Sequence, residues 1–327
     1  MLSVLASFLH SSIIQGIPLL FGATGEILTE KSGHLNLGIP GIMYVGGISG
    51  IVGGYLYEHF CEEPAALLCI LIPLVCSLLG SGLMALIYCF LTVTLRANQN
   101  VTGLALTTFG TGVGNFLGGS LLSFFGESGS ISLLTIGKWY KAYLPVADKL
   151  GIFGEVFLSY GFLAYLAVII ALCAQYFLTK TRTGLNLRSV GENPATADAA
   201  GINVTRYKYC ATIIGGMIAG LGGLYFVMDY TGGTWTNNGF GDRGWLAIAI
   251  VIFALWKPAR AIWCSFVFGG LYICAVLIPG LSSAAKEVIK MAPYVVTIFV
   301  LVLSSVHDRR ENQPPAHLGL NYFREDR

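Results

Sequence analysis

Runs of about twenty apolar residues recur along the whole chain, and this limits what it can fold into. Each run is long enough to cross a bilayer as a helix, where backbone polar groups must be satisfied internally. Hydrophobic residues make up 55% of the 327 residues, charged residues 11%, and mean hydropathy is +0.71. Soluble domains carry about 25% charged residues. A large core does not explain the deficit, because a soluble chain of this length still needs a wetted surface. The expected fold is all-α: a polytopic integral membrane helix bundle. A net charge of +2 leaves no nucleic-acid footprint, so membrane lipid is the expected surroundings and nucleic acid is not a partner.

Nine apolar segments stand out, at 4–28, 39–57, 65–95, 101–125, 157–178, 209–229, 245–256, 261–279 and 291–306. The expected count is about nine, within eight to ten. The weakest is 245–256, whose twelve residues rise only about 18 Å, so it is an extended span or a half-span. No Lys or Arg precedes Lys31, so the first segment lacks the basic start of a signal peptide and reads as a retained span. Lys and Arg are unequally divided between alternate loops, thirteen against six. The positive-inside rule then puts the loop 179–208 and the tail 307–327 in the cytoplasm, the loop 126–156 outside, and the N-terminus outside. Residues 1–306 form the membrane domain.

Seven of the eight cysteines lie in apolar runs and no CxxC occurs, so they read as packing residues. Glycine is abundant, at 42 residues. Gly110, Gly114 and Gly118 repeat at four-residue spacing, as do Gly216 and Gly220. Such faces let helix backbones approach closely.

Two polar stretches interrupt the apolar pattern. In 29–41, Gly33, Gly38, Pro40 and Gly41 surround Asn36, and a helix cannot run through cleanly. This is either a discontinuous element beside a translocation route, with Asn36 near the path, or an ordinary turn carrying Glu30 and Lys31. In 231–245, Trp235, Asn237 and Asn238 suit a sugar or a base, although Trp also anchors helices at membrane interfaces. Within spans, Glu26, Thr107, Thr108 and Asn115 are the notable polar groups. Glu26 lies near a helix end, where hydration would account for it.

A third feature is the polar island RSVGENPATADAAGI, 188–202. Asn193 can cap a helix whose first residue is Pro194 and which Gly201 closes. Lys180, Arg182, Arg188, Arg206 and Lys208 flank it. A short helix on a basic loop has little apolar surface of its own to bury, so it reads as built to touch another protein. Arg188, Gly191, Glu192, Asn193, Pro194, Ala197, Ala200 and Gly201 are the expected contact residues. There is no GxxxxGK[ST], HExxH, GxSxG or Cys/His metal spacing, so no nucleotide hydrolysis, metal site or cofactor is expected in this chain.

Three stretches together resemble one family. The island is similar to the cytoplasmic coupling loop of ABC importer permeases of the branched-chain amino acid, ribose and nucleoside type. LTEKSGHLNLGIPGIMYVGG, 28–47, resembles the LTERSGxLNLGxEGMM pattern of the nucleoside and simple-sugar branch. GWLAIAIVIFALWKP, 244–258, resembles that branch's GFIALAIVILGxWxP. The order is right and nearly the whole chain is covered. Pro40 replaces the family's acidic residue, and Ala254 and Leu255 depart from its FGxWxP ending. The resemblance is closest to the shorter of two permease subunits, which begins where longer members already have one span behind them. It implies a bacterial cytoplasmic-membrane permease for a nucleoside or simple sugar, with no catalytic residue of its own. Its implied partners are a second permease subunit, two ATPase subunits that bind the ATP, and an extracellular or lipid-anchored substrate-binding protein. It also implies a substrate path near Gly33, Asn36, Gly38, Gly41, Thr107, Thr108, Asn115, Asn237 and Asn238. The alternative is an ion-coupled secondary transporter, which would need intramembrane carboxylates such as Glu26 or Asp229.

Overall fold

The computed structural model describes residues 2–126, 129–143, 145–277, 282–306 and 313–323. Among these the only β pairing is an isolated bridge between Ser132 and Thr234. The first apolar segments become α1 (Leu2–Glu30), α2 (Ile39–Phe60), α3 (Ala66–Cys89, prolonged by a π turn to Thr94) and α4 (Gln99–Phe124). The loop expected at 126–156 contains two short helices, α5 (Leu134–Tyr140) and α6 (Gly151–Phe157). Then follow α7 (Phe162–Lys180), α8 (Arg182–Glu192), α9 (Pro194–Ala199) and α10 (Val204–Tyr225, prolonged by a π turn to Tyr230). The chain continues as α11 (Arg243–Phe253), α12 (Pro258–Leu277), α13 (Ser283–Lys290) and α14 (Ala292–Val306).

Helices α1, α2 and α10 form the centre. Helix α1 packs on α10 and α12, and α2 packs on α3, α4 and α10. Helices α3 and α7 turn Leu67, Leu79, Leu83, Ile169 and Leu172 outward. An apolar surface of that extent is what lipid covers. Five helices are long and apolar enough to cross a membrane: Leu5–Glu30, Ile39–Phe60, Ala66–Thr94, Phe162–Lys180 and Val204–Tyr230. Helix α4 is 26 residues long but is not among them, because Thr, Asn, Gln and Gly dilute its apolar residues.

Of the two readings of 245–256, an extended span or a half-span, the helix length favours the half-span. Helix α11 has 11 residues and rises only about 16 Å. It runs alongside α1 between two fixed points. The Arg243 guanidinium donates to Gln15 Oε1 at 3.1 Å, and Trp256 Nε1 donates to Glu30 Oε2. The stretch 231–242 that leads into α11 is non-helical. It leaves the bridge to Ser132 and reaches Arg243, which is buried among Phe226, Tyr230 and Tyr272. The cationic side chain faces all three aromatic rings there, which offsets its lost hydration.

Glycine sets the spacing of the central helices. A Cβ on Gly25 of α1 would lie 2.2 Å from the Gly215 carbonyl oxygen of α10. Gly25→Leu is therefore expected to force the two helices apart, at an overpacking cost of about 1–3 kcal/mol. Gly112, with nothing within 4 Å of such a Cβ, serves as the control. Thermal unfolding in detergent should show a lowered midpoint for Gly25→Leu and none for Gly112→Ala. Equal midpoints would mean that this close approach does not set the packing.

Candidate functional site

Three parts carry the candidate residues: the broken segment after α1, the helices α8 and α9, and the non-helical stretch 231–242. The broken segment lies inside the bundle, because its backbone polar groups are met by side chains of neighbouring helices. The Leu35 N–H donates to Gln99 Oε1 at 2.9 Å, and its carbonyl accepts from the Tyr88 hydroxyl at 2.6 Å. The Asn36 N–H donates to Glu26 Oε1 at 3.0 Å, and Thr107 Oγ1 donates to the Leu37 carbonyl at 2.8 Å. Asn36 Oδ1 accepts from the Gly38 N–H at 2.9 Å, which prepares the start of α2. The Asn36 side chain is fully buried and its Nδ2 has no partner among the described residues. Glu26 is equally buried, so hydration does not account for it. Gly41 lets α4 approach, since a Cβ there would meet the Leu106 carbonyl at 2.6 Å. Thr108 faces outward and donates to the Leu104 carbonyl of its own helix.

The island folds as its residues direct. Asn193 Oδ1 accepts from the Thr196 N–H at 3.0 Å, Pro194 opens α9, and Gly201 follows it at φ +83. The stretch before it is also helical. Thr181 Oγ1 caps α8 through the Gly184 N–H at 3.0 Å, and Gly184, Leu187 and Val190 form its inward stripe. The expected contact residues divide by direction. Gly191, Pro194 and Ala197 face inward, with Ala197 packed among Val190 and Val204, and the Arg188 Nε is buried without a partner. Glu192, Asn193, Ala200 and Gly201 are exposed, as are Ala195, Thr196 and Ala199. Gly191 touches the broken segment directly. A Cβ on it would lie 2.4 Å from the Lys31 carbonyl oxygen, and Gly33 opposite sits at φ +85.

Residues 313–323 of the tail strap these parts together. The His317 N–H donates to the Gly191 carbonyl at 3.0 Å, and the Gly319 N–H to the Gly33 carbonyl at 3.3 Å. The Tyr322 hydroxyl donates to Asp198 Oδ2 at 2.9 Å, and Asn321 Nδ2 to the Arg96 carbonyl at 2.7 Å. Burial and the nearby Lys208 ammonium hold the His317 imidazole below its ordinary value.

The non-helical stretch 231–242 brings the three amides together. Asn115 Nδ2 donates to Asn238 Oδ1 at 2.9 Å, and the Tyr44 hydroxyl donates to Asn115 Oδ1 at 2.5 Å while accepting from the Asn238 N–H at 2.9 Å. Trp235 Nε1 donates to Asn237 Oδ1 at 2.8 Å, and its ring meets Tyr44 edge-on at 5.1 Å. Trp235 is buried inside the protein, away from an interface belt. The repeat on α4 is the floor for these groups: Gly110 faces Gly41, Gly114 faces the Tyr44 ring and Gly118 faces the Trp235 ring. Asn237 and Asn238 are exposed, as is Asn238's neighbour Thr236. Tyr44 is the member that sequence reasoning missed, because it sits in an unbroken apolar run.

A multi-pass helix bundle with an internal break in its backbone is the build of a membrane permease. Residues 8–301 match the family described as the branched-chain amino acid transport system permease component, and the chain belongs to that family. It is 34% identical over 296 residues to the nucleoside ABC transporter permease protein NupC of Lactococcus lactis subsp. cremoris, covering 89% of this chain and 90% of that protein. It is 28% identical over 306 residues to the guanosine ABC transporter permease protein NupQ of Bacillus subtilis, covering 91% and 92%. A shorter match, 24% over 139 residues, joins 42% of this chain to 37% of the nucleoside ABC transporter permease protein NupB from the same Lactococcus strain as NupC.

Burial separates the two asparagines that the sequence placed together on the path. In a cysteine-free background, Asn238→Cys should react with a small maleimide, and Asn36→Cys should stay unreactive until the protein is denatured. Ready labelling at position 36 would mean that the broken segment is open to water.

Proposed function

We propose that this chain is one permease subunit of an ATP-driven importer, and that it carries a nucleoside across the cytoplasmic membrane. The observation that carries the reading is the contact of Gly191 with the backbone of 31–33. It joins the island helices to the break in the bundle, so movement of one displaces the other. Two ATPase subunits hold the exposed small residues of α9, one in each permease subunit, and their closure on ATP rocks the permeases. The basic end lies in the cytoplasm, with the N-terminus outside, in keeping with the thirteen-to-six division of Lys and Arg.

The open face of α4 sets Thr108 and Gly112 beside the exposed Phe109 and Phe116, a mixed surface that suits packing against a second permease subunit. Pairing of different subunits is supported by NupB and NupC, two nucleoside permease proteins of one strain. At the outer end, the stretches around Ser132 and Thr234 are joined by the bridge and offer one surface to a substrate-binding protein. Amides at positions 115, 237 and 238 beside two aromatic rings suit a base and ribose hydroxyls, because an amide both donates and accepts. A simple sugar would use the amides alone. The relatives named for nucleosides favour the first.

Ala199→Arg places a bulky cation on the exposed face of α9. Co-purification of ATPase and uptake of radiolabelled nucleoside should fall by at least about tenfold, as losing about 1.4 kcal/mol at an interface gives. The unfolding midpoint should stay unchanged, because position 199 is exposed. Ala197→Arg would instead disrupt packing and is no test of the partner. If wild-type protein brings down no ATPase and uptake collapses with the ion gradient, an ion-coupled transporter replaces this reading.

A further inference from the structure

The proposed transport cycle leaves two cavities at the basic end unused. One is a groove of about 840 Å³ between α7 and α10, lined by Cys173, Ala174, Phe177, Tyr207, Ile214 and Ile218. Its walls are almost wholly apolar, and both helices belong to the set that crosses the membrane. The other, of about 700 Å³, lies between the end of α3, the start of α10 and the 313–323 strap. Arg96, Arg206, Lys208 and His34 line it, with Asp198 as its acidic member. The Asp198 carboxylate already accepts the Tyr322 hydroxyl.

The two cavities meet. Gly201, Ile202, Asn203, Arg206 and Cys210 border both. Lys208 is 3% exposed and makes no hydrogen bond or ion pair among the described residues. Lys208 lines the cavity, so an anion bound there would gain a charge-assisted partner. A soluble anion would explain the basic cavity and leave the apolar groove beside it without a purpose. A molecule with a phosphate at one end and acyl chains at the other fills both.

We propose that one anionic phospholipid, from the leaflet at the basic end, binds here with its acyl chains between α7 and α10 and its phosphate against Arg206 and Lys208. Basic pockets between membrane helices recognise anionic headgroups in this way. The lipid would brace the junction of α9 and α10, where the island meets the bundle. The proposal does not depend on what the protein transports.

Cys210 borders both cavities and is exposed, so it reports on occupancy. The test uses the purified permease assembly with Cys210 as the only cysteine of this chain. It is reconstituted in nanodiscs of phosphatidylcholine, with or without phosphatidylglycerol, and labelled with maleimide. Phosphatidylglycerol in about tenfold excess over its dissociation constant should slow labelling about tenfold. Arg206→Gln, at an exposed position, should weaken that protection about fivefold, the loss of about 1 kcal/mol for one basic contact. Equal labelling in both lipids would overturn the proposal. So would equal protection by inorganic phosphate in phosphatidylcholine discs, which would identify a soluble anion. Protection in lipid-free detergent would show that a partner subunit covers the groove, and would also overturn it.

Discussion

The structure depends on satisfying a stretch of backbone that is not helical although it lies inside a membrane bundle. Lys31, Ser32 and Gly33 still donate to carbonyls of α1, but from Leu35 to Leu37 the partners are side chains of the helices: Glu26, Tyr88, Gln99 and Thr107. Unmet, each such group would cost several kcal/mol in hydrocarbon. Polar side chains on α1, α3 and α4 are thereby explained together, and so is the burial of the break under the 313–323 strap. The strap supplies donors to the Gly33 and Gly191 carbonyls from outside the bundle.

Packing around this break is backbone on backbone. Gly191 against Lys31, Gly41 against α4 and Gly25 against Gly215 leave no side chain between the elements to absorb displacement. Elements in such contact move together, because close-packed interiors shift between arrangements in preference to deforming. This gives physical content to the proposed link between the island and the interior. Gly191 touches the backbone of 31–33, a few residues before α2, and α2 carries Tyr44, which bonds to Asn115 of α4 and to Asn238.

The sequence was a good guide where a local rule was sufficient. Asn193, Pro194 and Gly201 mark the limits of α9 because capping chemistry acts within four residues. The glycines of α4 signalled close packing, though not that the Tyr44 and Trp235 rings would fill it. Helix α8 has an apolar stripe of Gly184, Leu187 and Val190, but the charged residues around it mask the pattern in the sequence. The half-span α11 was suspected from its length alone. Its strained ending, with Leu255 and Trp256 both at φ +54, has no local signal, because it is held by Glu30 at the far end of α1.

The amino-acid sequence by itself determined the class: apolar runs of bilayer length, punctuated by Gly, Pro and Asn, leave a chain no alternative to membrane helices with breaks at those points. It also determined the division of basic residues between alternate loops, since that is a property of composition along the chain. Only the tertiary structure decided which side of each motif is turned inward. Ala197 and Ala200 are three residues apart and chemically identical, yet one is packed against Val190 and the other is free for a partner. Asn36 and Asn238 both have path-like chemistry, yet one is sealed in the bundle and the other is exposed. Direction of this kind is set by packing between separate elements, as between Asn238 and Tyr44, 194 positions apart, and no pattern within one element encodes it.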